Sequence, residues 1–337
     1  MKSSDNNISI KKVDRDNNIE LLRIVLMFMI VLLHMVSHGI EFIPTLAKGI
    51  NNDKIDIFHI IAFSFSIIGV NCFAFISGFY GIKFKTISLI NFEKQAIFTS
   101  IFILLVSIIL GFQLGNKFII QSFFPILSNY WWFLSTYVLL FILSPFINAG
   151  IEKLDKKNFR MIVILLFVFN CIGGYVWGTF NANSGYSIFN FIFLYILARY
   201  IKIYNVESLI KYPILLYSTF LAITILIGNY LYSTHHFKIF LKFYDYNNPL
   251  IILCSVCFFL VFKKIKINKD VRWLSKITFG IYLFSDNDIV RNNLPRIFEK
   301  NYSIFFVVFV AMIIFIISAI LEYIRQTIFS LFQKKKL

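Results

Sequence analysis

The sequence predicts an all-α fold: a polytopic integral membrane protein built as a bundle of about ten transmembrane helices, with both termini cytoplasmic. Three observations predict it. The 337 residues are 58% hydrophobic and 15% charged, too little polar surface to cover a soluble core of this size. Apolar runs long enough to cross about 30 Å of hydrocarbon, some 20 residues each, recur along the chain. Roughly three in four of its 33 Lys and Arg residues fall in alternate connections, as the excess of cations in cytoplasmic loops requires.

In order, the apolar segments run over 19–38, 57–80, 96–115, 130–148, 160–177, 187–203, 213–232, 247–263, 273–290 and 302–324. The first follows a polar stretch, "MKSSDNNISIKKVDRDNN", and is too long for a signal-peptide core, so Ile19 onward reads as a retained span. The eighth segment is short. The ninth, "FGIYLFSDND", turns polar early, but without it the tail "QKKKL" falls outside and the charge alternation breaks. The resulting organisation is a cytoplasmic polar tail (1–18), a transmembrane domain (19–324) and a basic cytoplasmic tail (325–337). No segment is long enough for a separate soluble domain, and no fixed-period repeat is evident.

The formal charge of +16 would suggest nucleic acid in a soluble chain. Its alternation makes it a topology signal instead, and no nucleic-acid partner is expected. Cys72, Cys171, Cys254 and Cys257 all lie in apolar runs, which argues for small packing residues over a disulfide framework or a CxxC metal site.

Ionisable residues inside a span are costly unless they face protein or water, which makes them functional candidates. In "IELLRIVLMFMIVLLHMVSH", Arg23 and His34 are eleven residues apart. On a helix that is three turns plus about 20°, one face, with a rise of roughly 16 Å. Spacing alone leaves two readings: headgroup anchoring by Arg23 with a satisfied buried His34, or a functional pair. His38 completes a His-x3-His with His34, but no third ligand in the span supports a metal.

The order Arg, ten residues, His on the first helix resembles the membrane acyltransferase 3 family, whose members O-acylate cell-surface carbohydrates. Further segments resemble its polysaccharide-modifying members in the same order: "VNCFAFISGFYGIKFK", "YWWFLSTYVLLFILSPFIN", "FIFLYILARYI", "YNNPLIILCSVCFFLVFKKI" and "LSKITFGIYLFSDN". The resemblance covers nearly the whole chain from Ile19. Two departures stand out. Lys83 and Lys85 occupy the stretch after helix two where members often carry arginines, and lysine lacks the bidentate fork. Ser285 precedes Asp286 where members often have histidine, which puts an accessory role there in doubt.

The resemblance implies transfer of an acyl group, usually acetyl, from cytoplasmic acyl-CoA (acetyl-CoA) to a sugar hydroxyl of a polysaccharide or lipid-linked glycan, in the plasma membrane and with no metal. His34 is then the general base, because a neutral imidazole in a partly dry site can take the hydroxyl proton. Arg23 would grip a CoA phosphate, and Arg199, Lys83 and Lys85 would complete a basic funnel; ordinary positive-inside anchoring is the alternative for these three. Asn71, Ser77 and Gly78 suit a close helix contact or a substrate-lining face. Trp132 and Tyr137 suit stacking on a sugar or an interfacial belt, and Trp131 suits the belt. Asp286 and Asp288 are candidates to orient the base or bind acceptor hydroxyls, or are solvated helix-end charges. His59 is a candidate to approach His38, and His235 and His236 read as solvated. The rivals are a transporter or flippase for a glycolipid or small acid, against which stands the absence of an evident repeat or broken helix, and a glycan polymerase, for which the outer loops are short.

Overall fold

The computed structural model describes residues 16–334; residues 1–15 and 335–337 of the predicted tails lie outside the described residues. Among the described residues there are helices and connections and no strand. Helix α1 (Asn17–His34) passes into a π-helical turn over Met35–Gly39, then short α2 (Phe42–Ala47). Helices α3 (Ile57–Ser66) and α4 (Gly69–Tyr80) form one stretch with an offset. Then follow α5 (Thr86–Ile109), α6 (Asn116–Phe123), α7 (Trp132–Glu152), and α8 (Lys156–Phe167) with a second π-helical stretch over Val168–Val176. Next come α9 (Ile188–Ile203), α10 (Pro213–Ser233), α11 (Phe237–Phe243) and α12 (Pro249–Lys264). The chain closes with α13 (Arg272–Ser275), α14 (Thr278–Ser285), α15 (Asp288–Phe298) and α16 (Ile304–Lys334).

The helix starts follow local chemistry. Asp56 accepts from the backbone N–H of Phe58 and His59 at 2.9 and 3.1 Å, Asp155 caps α8, and Asn248 caps α12 ahead of Pro249, whose missing N–H costs nothing at a first helical position. All ten apolar segments contain helix, but seven helical stretches among the described residues are both long and apolar enough to cross a membrane. Helices α9 and α12 have 16 residues each, about 24 Å, short of the hydrocarbon thickness. The ninth segment is broken into three pieces, by a turn at Lys276–Ile277 and again where "SDND" leaves the helix at Asp286 and restarts it after the Asn287 cap, whose side chain accepts from Val290 N–H at 3.0 Å.

The bundle is apolar inside and out. The spans Asn17–Gly39 and Ile57–Tyr80 form its centre, while Ile304–Leu331 and Pro213–Ser233 turn large side chains such as Leu215, Leu226, Phe305 and Ile316 outward. Such a surface is stable against lipid and not against water. Helix α4 lies directly on α9: a Cβ added to Gly78 would stand 2.5 Å from the Tyr195 carbonyl oxygen, so only glycine allows that approach. Just beyond, Tyr195 Oη donates to Asn148 Oδ1 at 2.8 Å and accepts from Ile82 N–H at 2.9 Å, tying α9 to α7 and to the end of α4.

Polar contacts gather at the two ends of the bundle. At the Asn17 end, Asp16 accepts from Lys263 Nζ at 2.6 Å and from Tyr80 Oη at 2.8 Å, and Ser275 donates to Glu20. Those partners hold the Asp16 carboxyl below the usual carboxylate range, the Lys263 hydrogen bond most of all. At the Gly39 end, Asn52 Nδ2 donates to the Ile40 carbonyl at 2.9 Å and Tyr232 Oη to the Asn52 carbonyl at 2.8 Å. Sequence positions predicted to share a membrane side thus meet at one end.

Candidate active site

Two cavities line up along the central span. The larger, about 350 Å³, opens around His34 and His38 and is walled by Trp132, Phe133, Tyr186, Asp245, Tyr246, Tyr282, Asp286 and Arg291. The smaller, about 180 Å³, holds Arg23 with Met27, Phe73, Ser77, Tyr137 and Thr278. Ile30, Phe133 and Tyr282 border both. One face of α1 therefore runs from one cavity into the next, with Arg23 in the first and His34 in the second.

His34 is the last α-helical residue of α1, and the π turn behind it turns His38 toward the same cavity, ring centroids 6.1 Å apart. Gly39 ends that turn against the Phe298 ring of α15, where an added Cβ would collide at 2.4 Å. This contact seats the α14–α15 break beside His34. Asp286 sits in the break, with Oδ1 3.5 Å from His34 Nδ1 and its side chain fully buried. That distance is an ion-pair contact without hydrogen-bond geometry, and both His34 Nδ1 and Asp286 Oδ2 are without hydrogen-bond partners. A small approach closes the bond, and hydrogen bonds in histidine–carboxylate pairs are often this long in the absence of ligand.

A buried carboxylate costs several kcal/mol unless paired. Arg291 supplies the pairing: its Nε–H donates to Asp286 Oδ1 at 2.6 Å and its Nη2 group contacts the same oxygen. Trp131 Nε1–H donates to the Asp286 carbonyl at 2.5 Å. Trp131 is fully buried, which corrects its expected place in an interfacial belt. On the far wall, Trp132, Tyr186 and Tyr246 form an aromatic cluster, with centroids 4.4 Å apart for Trp132–Tyr186 and 5.0 Å for Tyr186–Tyr246. Asp245, in the connection after α11, lines the same cavity, and burial pushes its carboxyl up to about 6 against the opposing pull of Ser184 and Lys242.

The other predicted residues are distributed as follows. Ser77 and Tyr137 line the Arg23 cavity with their hydroxyls 3.2 Å apart. Asn71 lines neither cavity; it is fully buried and donates to the Tyr246 carbonyl at 2.8 Å, within a polar cluster that also joins Asn190 to Asn170 at 2.9 Å. Arg199 packs beside Gly81 at the Asn17 end, its Nε buried without a hydrogen-bond partner, as is the Nε of Arg23. Lys83 and Lys85 are exposed near that end. Ser285 bonds back to the Tyr282 carbonyl at 3.3 Å. His59 faces Asp56 through Nδ1 and donates from Nε2 to the Tyr302 carbonyl at 2.9 Å, so its nitrogens serve the α3 start and the α15–α16 connection rather than His38. His235 and His236 are exposed.

Arg291 and Tyr282 were not singled out by the sequence. Arg291 counts there as a loop cation, five residues past Asp286; a cation and a carboxylate flanking an Asn cap within one polar interruption were its only signal. Tyr282 is one of 17 tyrosines.

A histidine with a buried carboxylate, in a cavity that shares a wall with one holding an arginine, is equipped to deprotonate a hydroxyl beside a site for an anionic co-substrate. No curated protein and no solved structure matches the chain. The family model described as an acyltransferase domain, that of the acyltransferase 3 family, matches residues 16–323. Because that match takes in nearly the whole helical bundle and both cavities, the chain belongs to the acyltransferase 3 family of membrane acyltransferases.

Proposed function

We propose that this protein is a plasma-membrane O-acyltransferase that moves an acyl group, acetyl in the first instance, from cytoplasmic acyl-CoA to a hydroxyl of a cell-surface or capsular carbohydrate. The observation that carries the reading is that the Arg23 and His34 cavities lie along one face of α1 and share the wall formed by Ile30, Phe133 and Tyr282. Both chain ends lie in the cytoplasm in this reading, and α9, α12 and the α13–α15 segment complete ten crossings. The Arg23 end is then the donor's entrance.

Arg23 takes a CoA phosphate there, with Arg199, Lys83 and Lys85 raising the local concentration of the anion. The pantetheine arm follows α1 toward His34, past Ser77 and Tyr137, whose position favours contact with the donor over the sugar. The acceptor enters from the opposite end and stacks on Trp132. Its hydroxyl gives its proton to His34 as oxygen attacks the thioester carbon; Asp286 stabilises the resulting imidazolium, and Asn71 supports the Tyr246 wall. The CoA thiolate leaves with the proton returned from His34.

Mixing purified protein with acetyl-CoA and deacetylated surface glycan tests this, with CoA thiol release and O-acetyl gain as readouts. His34→Ala is expected to lower turnover about 10²- to 10⁴-fold. Unchanged turnover in that variant would sink the reading. A second reading, transport of a glycolipid or small acid, draws on the helix break at Asp286, a feature of transport paths that the sequence did not reveal. Substrate movement without CoA release would favour it.

A further inference from the structure

Resting on that reading, we propose that Tyr282 is a catalytic residue whose hydroxyl, together with the open first turn of α7, stabilises the oxyanion that forms on the thioester carbonyl. Of the three residues bordering both cavities, Ile30 and Phe133 are apolar and Tyr282 alone carries a polar group. It stands where a thioester arriving from the Arg23 end meets a hydroxyl held at the His34 end. Tyr282 is 3% exposed, and its hydroxyl lies near the Asp286 carboxyl and the Phe133 backbone without completing a well-formed hydrogen bond to either among the described residues. A buried tyrosine ordinarily completes one, so a donor left short of its bond on the wall shared by two cavities points to a partner that arrives with substrate.

Two neighbouring donors are already committed. The Tyr137 hydroxyl meets Ser77, and Arg291 is held by Asp286. Tyr282 is fixed in register with the dyad, since its carbonyl accepts from Asp286 N–H at 2.9 Å. Helix α7 starts at the same place: Trp131 is extended and offers no side-chain cap, and Trp132 and Phe133 line the His34 cavity. The first N–H groups of a 21-residue helix and the positive end of its dipole therefore lie beside the same junction.

In the step, the acceptor oxygen forms a bond to the carbonyl carbon while its proton moves to His34. The carbonyl π pair moves onto oxygen, where Tyr282 O–H donates to the new charge. Collapse restores the C=O bond and breaks the C–S bond, and the thiolate takes the proton from His34. Tyr282 ends as it began.

The test uses the full-length protein in lipid nanodiscs with acetyl-CoA and deacetylated glycan, comparing wild type, Tyr282→Phe and His34→Ala. Tyr282→Phe is expected to lower kcat about 10- to 1,000-fold, with KM for acetyl-CoA within about threefold and the pH profile in place. Replacing Tyr282 by fluorotyrosine, a stronger donor of nearly the same shape, is expected to keep or raise kcat and serves if the Phe variant fails to accumulate. A Tyr282→Phe kcat within about threefold of wild type overturns the inference, as does a loss of kcat in the fluorotyrosine protein. So does a fall accompanied by a displaced pH profile, which would mark Tyr282 as positioning Asp286. Active wild type with inactive His34→Ala leaves the acyltransfer reading standing in those cases; a wild type that releases no CoA overturns both.

Discussion

His34 and Asp286 face each other at 3.5 Å, one on a continuous span and the other in a helix break, and the proposed proton transfer depends on closing that gap. Asp286→Asn keeps the shape and removes the charge that orients and stabilises the imidazolium. Turnover in the CoA-release assay is expected to fall about 10²- to 10⁴-fold at an unchanged membrane level of protein. Asp245 carries a pH prediction. Its carboxyl is raised by burial to about 6, above the unfolded value near 3.9, so its contribution to stability is complete below about pH 4 and is lost as pH rises through 6. Asp245→Asn is therefore expected to raise Tm relative to wild type at pH 7.5 but not at pH 4, read by thermal unfolding in detergent. Arg23 and His34 were legible in the sequence because ionisable groups are conspicuous in an apolar run. Arg291 was not, because its charge is ordinary in a loop and becomes specific only when the chain folds back onto Asp286.

The broken ninth segment shows what hydropathy can and cannot deliver for an element. Its early loss of apolar residues was visible, but the restart as α15, with Asn287 as cap and Phe298 seated on Gly39, depends on packing against the π turn after α1. Helices α9 and α12, read as spans from composition, are each only 16 residues, with much of their length buried against neighbouring helices. Gly78 was legible as a small residue in a helix and its partner was not. Gly78→Leu drives a side chain into the α9 backbone, and overpacking of this kind costs about 1–3 kcal/mol or more. The expected result is a lower Tm and reduced accumulation, while Ser77→Ala beside it leaves both near wild type.

Across the whole molecule, alternation of basic residues and the meeting of polar contacts at two ends describe one arrangement, a bundle whose two ends are linked by α1; the proposed function makes them a donor end and an acceptor end. Charge alternation made the grouping of the connections at two ends legible before any coordinates. The path itself was not, because cavities arise from residues distant in sequence: Ser184, Asp245 and Arg291 share a wall with His34. Single cysteines at Lys54 and Lys85, in a background without the native four, are expected to react with an impermeant maleimide on intact cells at position 54 and only after lysis at position 85. The reverse pattern would invert the donor and acceptor ends.

The most direct measurement of the central claim is the NMR spectrum of the surface glycan from cells lacking the native gene and carrying either the wild-type protein or His34→Ala at matched membrane levels. O-acyl signals are expected with the wild type, and their loss with His34→Ala. O-acyl signals of equal intensity in the two would contradict that claim.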